Sequence, residues 1–113
     1  MAKQPIYGYW VGIPITTLQS KEWRNLQSTS RCVYIAMLMR YYRRGEEADG
    51  YVNWTQEELA EATGLSLRTV KTCTKELKEK EWITVWNLGG RWARGTTYAV
   101  NPLYANGQGP RTT

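Results

Sequence analysis

The sequence contains no histidine, no phenylalanine and only two cysteines among its 113 residues. Without histidine, the chain cannot form a Ser-His-Asp triad, a histidine general base or a zinc site that includes histidine. Cys32 and Cys73 lie too far apart in the sequence to form a CxxC-type metal motif. Secreted domains of this size usually contain more cysteines at closer spacing, so two reduced thiols indicate a cytosolic protein.

Neither a membrane-spanning helix nor a signal peptide is expected from the sequence. The longest apolar run extends from Cys32 to Met39, whereas a membrane helix needs about 20 apolar residues. The N-terminus lacks the basic-then-apolar order of a signal peptide, and neither phosphate-binding glycine motifs nor a nucleophile elbow occur. We therefore expect a cytoplasmic protein that does not enter a membrane, is not an enzyme, and needs neither a cofactor nor a metal ion.

Positive charge is in excess. Fifteen Lys and Arg residues against ten Asp and Glu give a net charge of +5 and a pI near 9.4. The excess lies in clusters at residues 40–44, 68–75 and 91–94, which is typical of nucleic-acid-binding proteins. The aromatic residues are six Trp and eight Tyr, so each carries a polar group and can lie half-buried at a surface. A chain of this length forms one domain.

The N-terminal segment shows weak structural signals. Residues 1–19 are predicted to be irregular or extended, with one edge strand over residues 6–11. Ser20 is a suitable N-cap for a short helix over residues 21–26.

A stronger helix is predicted from residue 30 to about residue 44. It is apolar on nearly all sides, so both sides must be covered. The rest of the core covers one side. The other cover is either the N-terminal segment, with Trp10, Trp23 and Leu26, or a second copy of the chain, and we favour the first.

The next segment carries clear helix boundaries. A short strand over residues 51–53 is followed by Thr55 and Glu58, which form a capping-box pattern. The helix that begins there is predicted to end at Gly64, which can adopt a left-handed conformation.

Ser66 is a suitable N-cap for another helix over about residues 67–81. Two short helices joined by a three-residue turn that contains glycine form a helix-turn-helix. Ala60 is small where the helices would cross, and Leu65 can fill the gap between them.

The two faces of helix 67–81 differ in chemistry. At 100° per residue, the positions that face the core are Leu67, Val70, Thr74 and Leu77, flanked by Cys73. The opposite face is basic and hydroxyl-bearing in its first turns, with Arg68, Thr72, Lys75 and Glu79, beside Thr69 and Lys71.

A hairpin follows, built from alternating runs over residues 82–86 and 96–100. Its long glycine-flanked tip, about residues 87–95, carries the cationic and aromatic side chains Arg91, Trp92 and Arg94.

The sequence resembles the winged helix-turn-helix domains of bacterial regulators and replication proteins. The residues that carry the resemblance are Glu58-Leu59-Ala60, Thr63-Gly64-Leu65-Ser66 and Arg68-Thr69-Val70, with apolar Leu77 and Ile83. The upstream part, from Ile13 through Trp23 to Tyr34, is similar to the N-terminal domains of plasmid and phage replication initiators and replisome organisers. The chain departs from the family at Glu81-Trp82, where Gly is often followed by Leu.

The resemblance implies an α+β fold that is mostly helical: a three-helix core plus a β-hairpin wing. We expect residues 1–29 to form an N-terminal extension with a short helix, residues 30–104 the winged helix-turn-helix domain, and residues 105–113 a flexible tail. That tail is also compatible with a linker, so the chain can be a whole protein or the N-terminal domain of a longer one.

The function implied is sequence-specific binding of double-stranded DNA. Helix 67–81 would enter the major groove and the basic wing would grip an adjacent groove or the backbone. The residues predicted to contact DNA are Thr55, Gln56, Ser66, Arg68, Thr69, Lys71, Thr72, Lys75, Arg91, Trp92 and Arg94.

Several alternatives stay open. The resemblance favours replication initiation or replisome organisation in a bacterial, plasmid or phage system over transcriptional regulation. A homodimer and replication proteins are further partners, and helix 31–44 is the first surface to test for dimer formation. A protein-interaction module of the same fold is the competing interpretation, supported by the acidic Glu57, Glu58 and Glu61 and by the aromatic inventory.

Overall fold

The computed structural model describes residues 11–41, 51–87 and 95–105. Its elements, in chain order, are α1 (Ile15–Leu18), α2 (Lys21–Arg24), α3 (Ser28–Tyr41), β1 (Tyr51–Trp54), α4 (Gln56–Thr63), α5 (Leu67–Glu79), β2 (Ile83–Asn87), β3 (Thr96–Val100) and α6 (Pro102–Ala105). Apart from Val11, the strand predicted near the N-terminus lies outside the described residues, as does the predicted tail apart from Ala105. No helix in the described ranges has the length and apolar character needed to cross a membrane.

The boundaries of α4 and the start of α5 confirm the predicted caps. The Thr55 hydroxyl accepts a hydrogen bond from the Glu58 amide at 2.9 Å, and the Glu58 carboxylate accepts one from the Thr55 amide at 2.9 Å. Gly64 ends α4 with a φ of +78°. Ser66 begins α5 by accepting a hydrogen bond from the Thr69 amide at 3.1 Å, so local chemistry sets these three helix boundaries.

The C-terminus of α5 is a Schellman motif. The helix ends at Glu79, two residues before the predicted end, because Glu81 is left-handed, with a φ of +64°. The Trp82 amide donates to the Leu77 carbonyl at 2.9 Å, and the Glu81 amide donates to the Lys78 carbonyl at 3.1 Å. Glycine is the usual residue at this position because it adopts a left-handed conformation without strain. In this chain the position is occupied by Glu81.

The three strands form an antiparallel sheet in the order β1-β3-β2. Val52 and Trp54 on β1, and Tyr98 and Val100 on β3, are buried on the inner face of the sheet. The first strand of the hairpin is shifted by one residue from its predicted position, to Ile83–Asn87. The shift occurs because Trp82 belongs to the turn that ends α5.

The core includes one cluster of aromatic rings from distant parts of the sequence. Trp82, which is 1% exposed, lies 5.7 Å from Trp23, 5.1 Å from Tyr34 and 3.9 Å from Tyr104, as measured between ring centroids. These residues come from α2, α3, the α5–β2 junction and α6. We call them the aromatic cluster. The N-terminal segment therefore shares a core with the helix-turn-helix.

The helix α3 begins at Ser28, earlier than the predicted residue 30. Trp23 and Leu26 are buried in the core, as expected if the N-terminal segment covers this helix. Trp10 lies outside the described residues. The covering is incomplete, because Ile35 and Met39 on α3 are exposed.

Two short helices differ from the sequence prediction. The segment Ile15–Leu18 is helical where irregular or extended structure was expected, and a helix that was not predicted, α6, begins at Pro102. The Thr17 hydroxyl donates to the Tyr104 carbonyl at 2.6 Å, which joins α1 to α6. A stabilising contact between residues so far apart leaves no local signal in the sequence.

Replacing Glu81 with glycine is expected to stabilise the protein. A left-handed L residue costs about 1–2 kcal/mol, and the greater freedom of glycine in the unfolded chain offsets about 0.5–1 kcal/mol of the gain. Glu81→Gly should therefore raise the unfolding free energy by up to about 1 kcal/mol, as measured by chemical denaturation. Glu81→Ala retains the Cβ atom and is the control. Equal stabilisation by both variants would show that the carboxylate, and not the backbone, is responsible.

Candidate nucleic-acid interface

The outer face of α5 presents cations and hydroxyls. Arg68, Lys71, Thr72 and Lys75 are exposed, and the sequence has no carboxylate from residue 67 to residue 75. The opposite face is fixed in the core by Val70, Cys73, Thr74 and Leu77, all buried. The predicted orientation of this helix is therefore confirmed for these residues.

Leu67 is the exception to the predicted core stripe. Its side chain is 37% exposed instead of buried. The residue occupies the first position of α5, and its helical position lies at the margin of the arc defined by the four buried residues. It therefore belongs to the exposed tip of the helix.

The hydroxyl groups at the start of α5 are ordered by one another. The Ser66 hydroxyl accepts from the Thr69 amide at 3.1 Å and donates to the Thr69 hydroxyl at 2.9 Å. One turn later, the Thr72 hydroxyl donates to the Arg68 carbonyl at 3.2 Å. Short side chains are thus held close to the helix, while those of Arg68, Lys71 and Lys75 are long enough to extend beyond them.

Thr55 and Gln56 lie at the N-terminus of α4 and have structural partners. Both the amide and the hydroxyl of Thr55 are hydrogen-bonded to Glu58. The Gln56 side chain bonds the buried Tyr98 hydroxyl; burial raises the pKa of Tyr98, and hydrogen bonds from Gln56 and Thr96 oppose that rise. DNA contact by these two residues stays a prediction.

The base of the wing touches the start of α4. Gly95 has a φ of +77°, and a Cβ atom placed on it would lie 2.6 Å from the Trp54 carbonyl oxygen and 2.9 Å from the Thr55 nitrogen. Only glycine permits this approach of two backbones. Arg91, Trp92 and Arg94, at the predicted wing tip, lie outside the described residues and stay predictions.

Glu76 is a structural carboxylate that the helical pattern did not reveal. It accepts hydrogen bonds from the Ser30 hydroxyl, from the Gln27 amide at 3.4 Å and from Lys80 Nζ at 2.8 Å. Partial burial tends to raise the pKa of Glu76, but the bonds from Lys80, Ser30 and Gln27 outweigh it, so the pKa falls below its ordinary 4.5. The carboxylate ties α5 to the start of α3.

Arg40 connects the end of α3 to β1 and to the start of α4 through its side-chain contacts. Its guanidinium lies 3.7 Å from the centre of the Trp54 ring, donates to the Asn53 carbonyl and pairs with the Glu58 carboxylate at 3.2 Å. The backbone amide of Thr55 and then Arg40 lower the pKa of Glu58. Nothing in the sequence spacing linked Arg40 to these partners.

Comparison with known proteins is consistent with this geometry. Residues 55–84, which comprise α4, the turn, α5 and the start of β2, match a family model described as winged helix-turn-helix DNA-binding. A solved structure, the N-terminal domain of a DNA-binding protein, is similar to the chain with a TM-score of 0.57 and 15% identity; the match covers 81% of this chain and 73% of that one. The sequence matches no curated protein. The fold is a winged helix-turn-helix, and the family match supports DNA binding.

Glu76→Gln is expected to destabilise the protein at neutral pH. The folded pKa is lowered, so the carboxylate contributes stability above pH 4.5, and this contribution is lost as the pH falls through the folded pKa. Hydrogen bonds to charged groups are worth about 1.5–3 kcal/mol, and urea denaturation at pH 7 should show a loss of that order, shrinking towards pH 3. Glu79→Gln, on the exposed face of the same helix, is the charge-matched control. If the difference in unfolding free energy between Glu76→Gln and Glu79→Gln does not change with pH, this role of the Glu76 carboxylate is contradicted.

Two glycines provide a matched test of the wing contact. Gly64 and Gly95 have nearly the same φ, but a Cβ atom at Gly64 would meet nothing within 4 Å. Alanine at either position bears the left-handed strain of about 1–2 kcal/mol, and at Gly95 it adds a steric overlap worth about 1–3 kcal/mol. Gly95→Ala should therefore lower the unfolding free energy by at least about 1 kcal/mol more than Gly64→Ala. Equal losses of unfolding free energy in the two variants would mean that the wing base can move away from the Trp54–Thr55 peptide without an energetic cost.

Proposed function

We propose that this winged helix-turn-helix domain binds double-stranded DNA sequence-specifically, with α5 in the major groove. The observation that carries the proposal is the exposed face of α5 over its first turns, where Arg68, Lys71, Thr72 and Lys75 are exposed and residues 67–75 include no carboxylate. Helices of this kind read base edges with their N-terminal turns. The opposite face is locked into the core, so the helix can present this surface without rearranging.

Arg68 is the residue on which discrimination between sequences depends most. It lies in the first turn of α5, where the helix dipole disfavours a cation. Helix stability therefore does not account for its position, whereas a guanine edge or a phosphate does. Arginine is the most common bidentate partner of guanine. Ser66, Thr69 and Thr72 supply shorter contacts, and Lys71 and Lys75 supply charge for phosphates.

The wing and the start of α4 complete the proposed interface. Arg91, Trp92 and Arg94 would contact the backbone or an adjacent groove, and Thr55 and Gln56 would approach a phosphate. The contact of Gly95 with the Trp54–Thr55 peptide supports this arrangement, because it holds the base of the wing beside α4.

A role in replication initiation or replisome organisation, in a bacterial, plasmid or phage setting, is the biological part of the proposal. It is supported by the similarity of the upstream segment to replication proteins; transcriptional regulation is the alternative on the same fold. Replication proteins and a homodimer are the corresponding partners, and the exposed Ile35 and Met39 on α3 are the surface for the dimer.

A protein-interaction module is the second candidate function. Glu57 and Glu61 are exposed on α4, as an acidic docking patch would require. Glu58 supports it less, because its carboxylate is used by the capping box and by Arg40.

Arg68→Ala is expected to weaken binding to a guanine-containing duplex site, selected from a random library, by about 1–3 kcal/mol. Arg24→Ala is the matched control, because it removes the same charge from an exposed position on α2. Fluorescence anisotropy at several salt concentrations measures both effects, since the logarithm of the binding constant falls linearly with that of the salt concentration. The Arg24→Ala variant should bind the selected site with nearly the affinity of the wild type. No duplex binding at low salt would overturn the proposal and favour the protein-interaction module.

A further inference from the structure

The outer face of the sheet carries two exposed aromatic rings in contact. Trp86 on β2 is 62% exposed and Tyr51 on β1 is 42% exposed. Their ring centroids lie 5.0 Å apart, with the planes inclined at 48°. The two strands are not neighbours, because β3 lies between them. Tyr51 pairs with Ala99, a small residue of β3.

Strand alternation turns Trp86 outward, because Ile83 and Val85 on β2 face the core. A β-bulge lies at the same residue: Val85 pairs with Tyr98 and Asn87 pairs with Thr97, so Trp86 is the extra residue on β2. Bulges are common beside functional sites. Exposing a ring of this size gives up the stability that its burial would provide, and Trp86 is not recruited to the aromatic cluster of the core.

Hydrogen-bonding groups lie beside the two rings. The Asn53 side-chain amide donates to the Thr97 hydroxyl at 3.0 Å on the same face. The Asn53 amide oxygen faces no competing charge from the sheet, because β1, β2 and β3 contain no Asp, Glu, Lys or Arg. Over the described strands, the face therefore combines aromatic surface with amide and hydroxyl groups and carries no carboxylate.

We infer that this outer sheet face binds the unpaired bases of single-stranded DNA, with Trp86 and Tyr51 as the stacking surface. Bases in a duplex have their faces covered by neighbouring base pairs, so only unpaired bases can stack on a protein ring. The net charge of +5 is complementary to a polyanion. This surface is separate from α5, and its function does not depend on the proposed duplex binding.

The test uses a fluorescein-labelled dT12 oligonucleotide and the full chain. Trp86→Leu keeps apolar bulk but removes the aromatic surface, and loss of one stacked base should weaken dT12 binding by about tenfold or more. Trp86→Phe should restore most of the affinity. Because no phosphate contact is removed, the salt dependence of dT12 binding should have the same slope in wild type and Trp86→Leu.

Two controls separate this site from the duplex site. Ile15→Ala alters an exposed apolar residue on α1 and should leave dT12 binding unchanged. Trp86→Leu should change duplex affinity by less than about twofold, whereas Arg68→Ala should weaken duplex binding much more than dT12 binding. If duplex binding fails while the Trp86 effect on dT12 persists, only the proposed function of α5 is overturned.

Three results would overturn the inference itself. One is wild-type protein that does not bind dT12 at low salt, and another is Trp86→Leu that binds it as tightly as wild type. The third is sedimentation showing that Trp86→Leu disrupts a dimer while dT12 binding is unchanged, which would assign the sheet face to a second copy of the chain.

Discussion

The packing of Trp82 is the interaction on which the arrangement of the other elements depends. Its ring stacks on Tyr104 at 3.9 Å and contacts Trp23 and Tyr34. Through these contacts, α2, α3 and α6 are held at the point where α5 turns into the wing. The ring of Trp82 contacts three partners at once. The junction that follows α5 is therefore held by segments that lie outside the helix-turn-helix.

The parts of the fold that were predictable from sequence are those controlled by short-range chemistry. Thr55, Gly64 and Ser66 mark their helix boundaries because each cap involves residues only a few positions apart. The interactions of Glu76 and Thr17 could not be predicted, because their partners at Ser30 and Tyr104 are distant in sequence. The outward position of Trp86 follows from strand alternation, but its contact with Tyr51 depends on the order of the strands in the sheet, which the sequence of one strand does not show. Exposed side chains on α5 were predictable, but which of them contact DNA depends on a ligand.

Charge is distributed unevenly over the molecule, and this asymmetry organises the functional proposals. The cations of α5 lie on a helix face, whereas the three strands have no charged side chain. Two surfaces with different chemistry can therefore exist on one small domain. A basic face suits the regular phosphates of a duplex, and a neutral aromatic face suits base surfaces.

The approach of Gly95 to the Trp54–Thr55 peptide has a consequence for how the two parts of the duplex interface would cooperate. Contact between backbones fixes the spacing of the wing base and α4 more firmly than contact between flexible side chains, which lose rotamer freedom when ordered. Once α5 is bound in a groove, the wing would approach the same duplex at an effective concentration set by this rigid spacing and not by a linker. The affinity gained from the second contact would then depend on a residue that has no side chain.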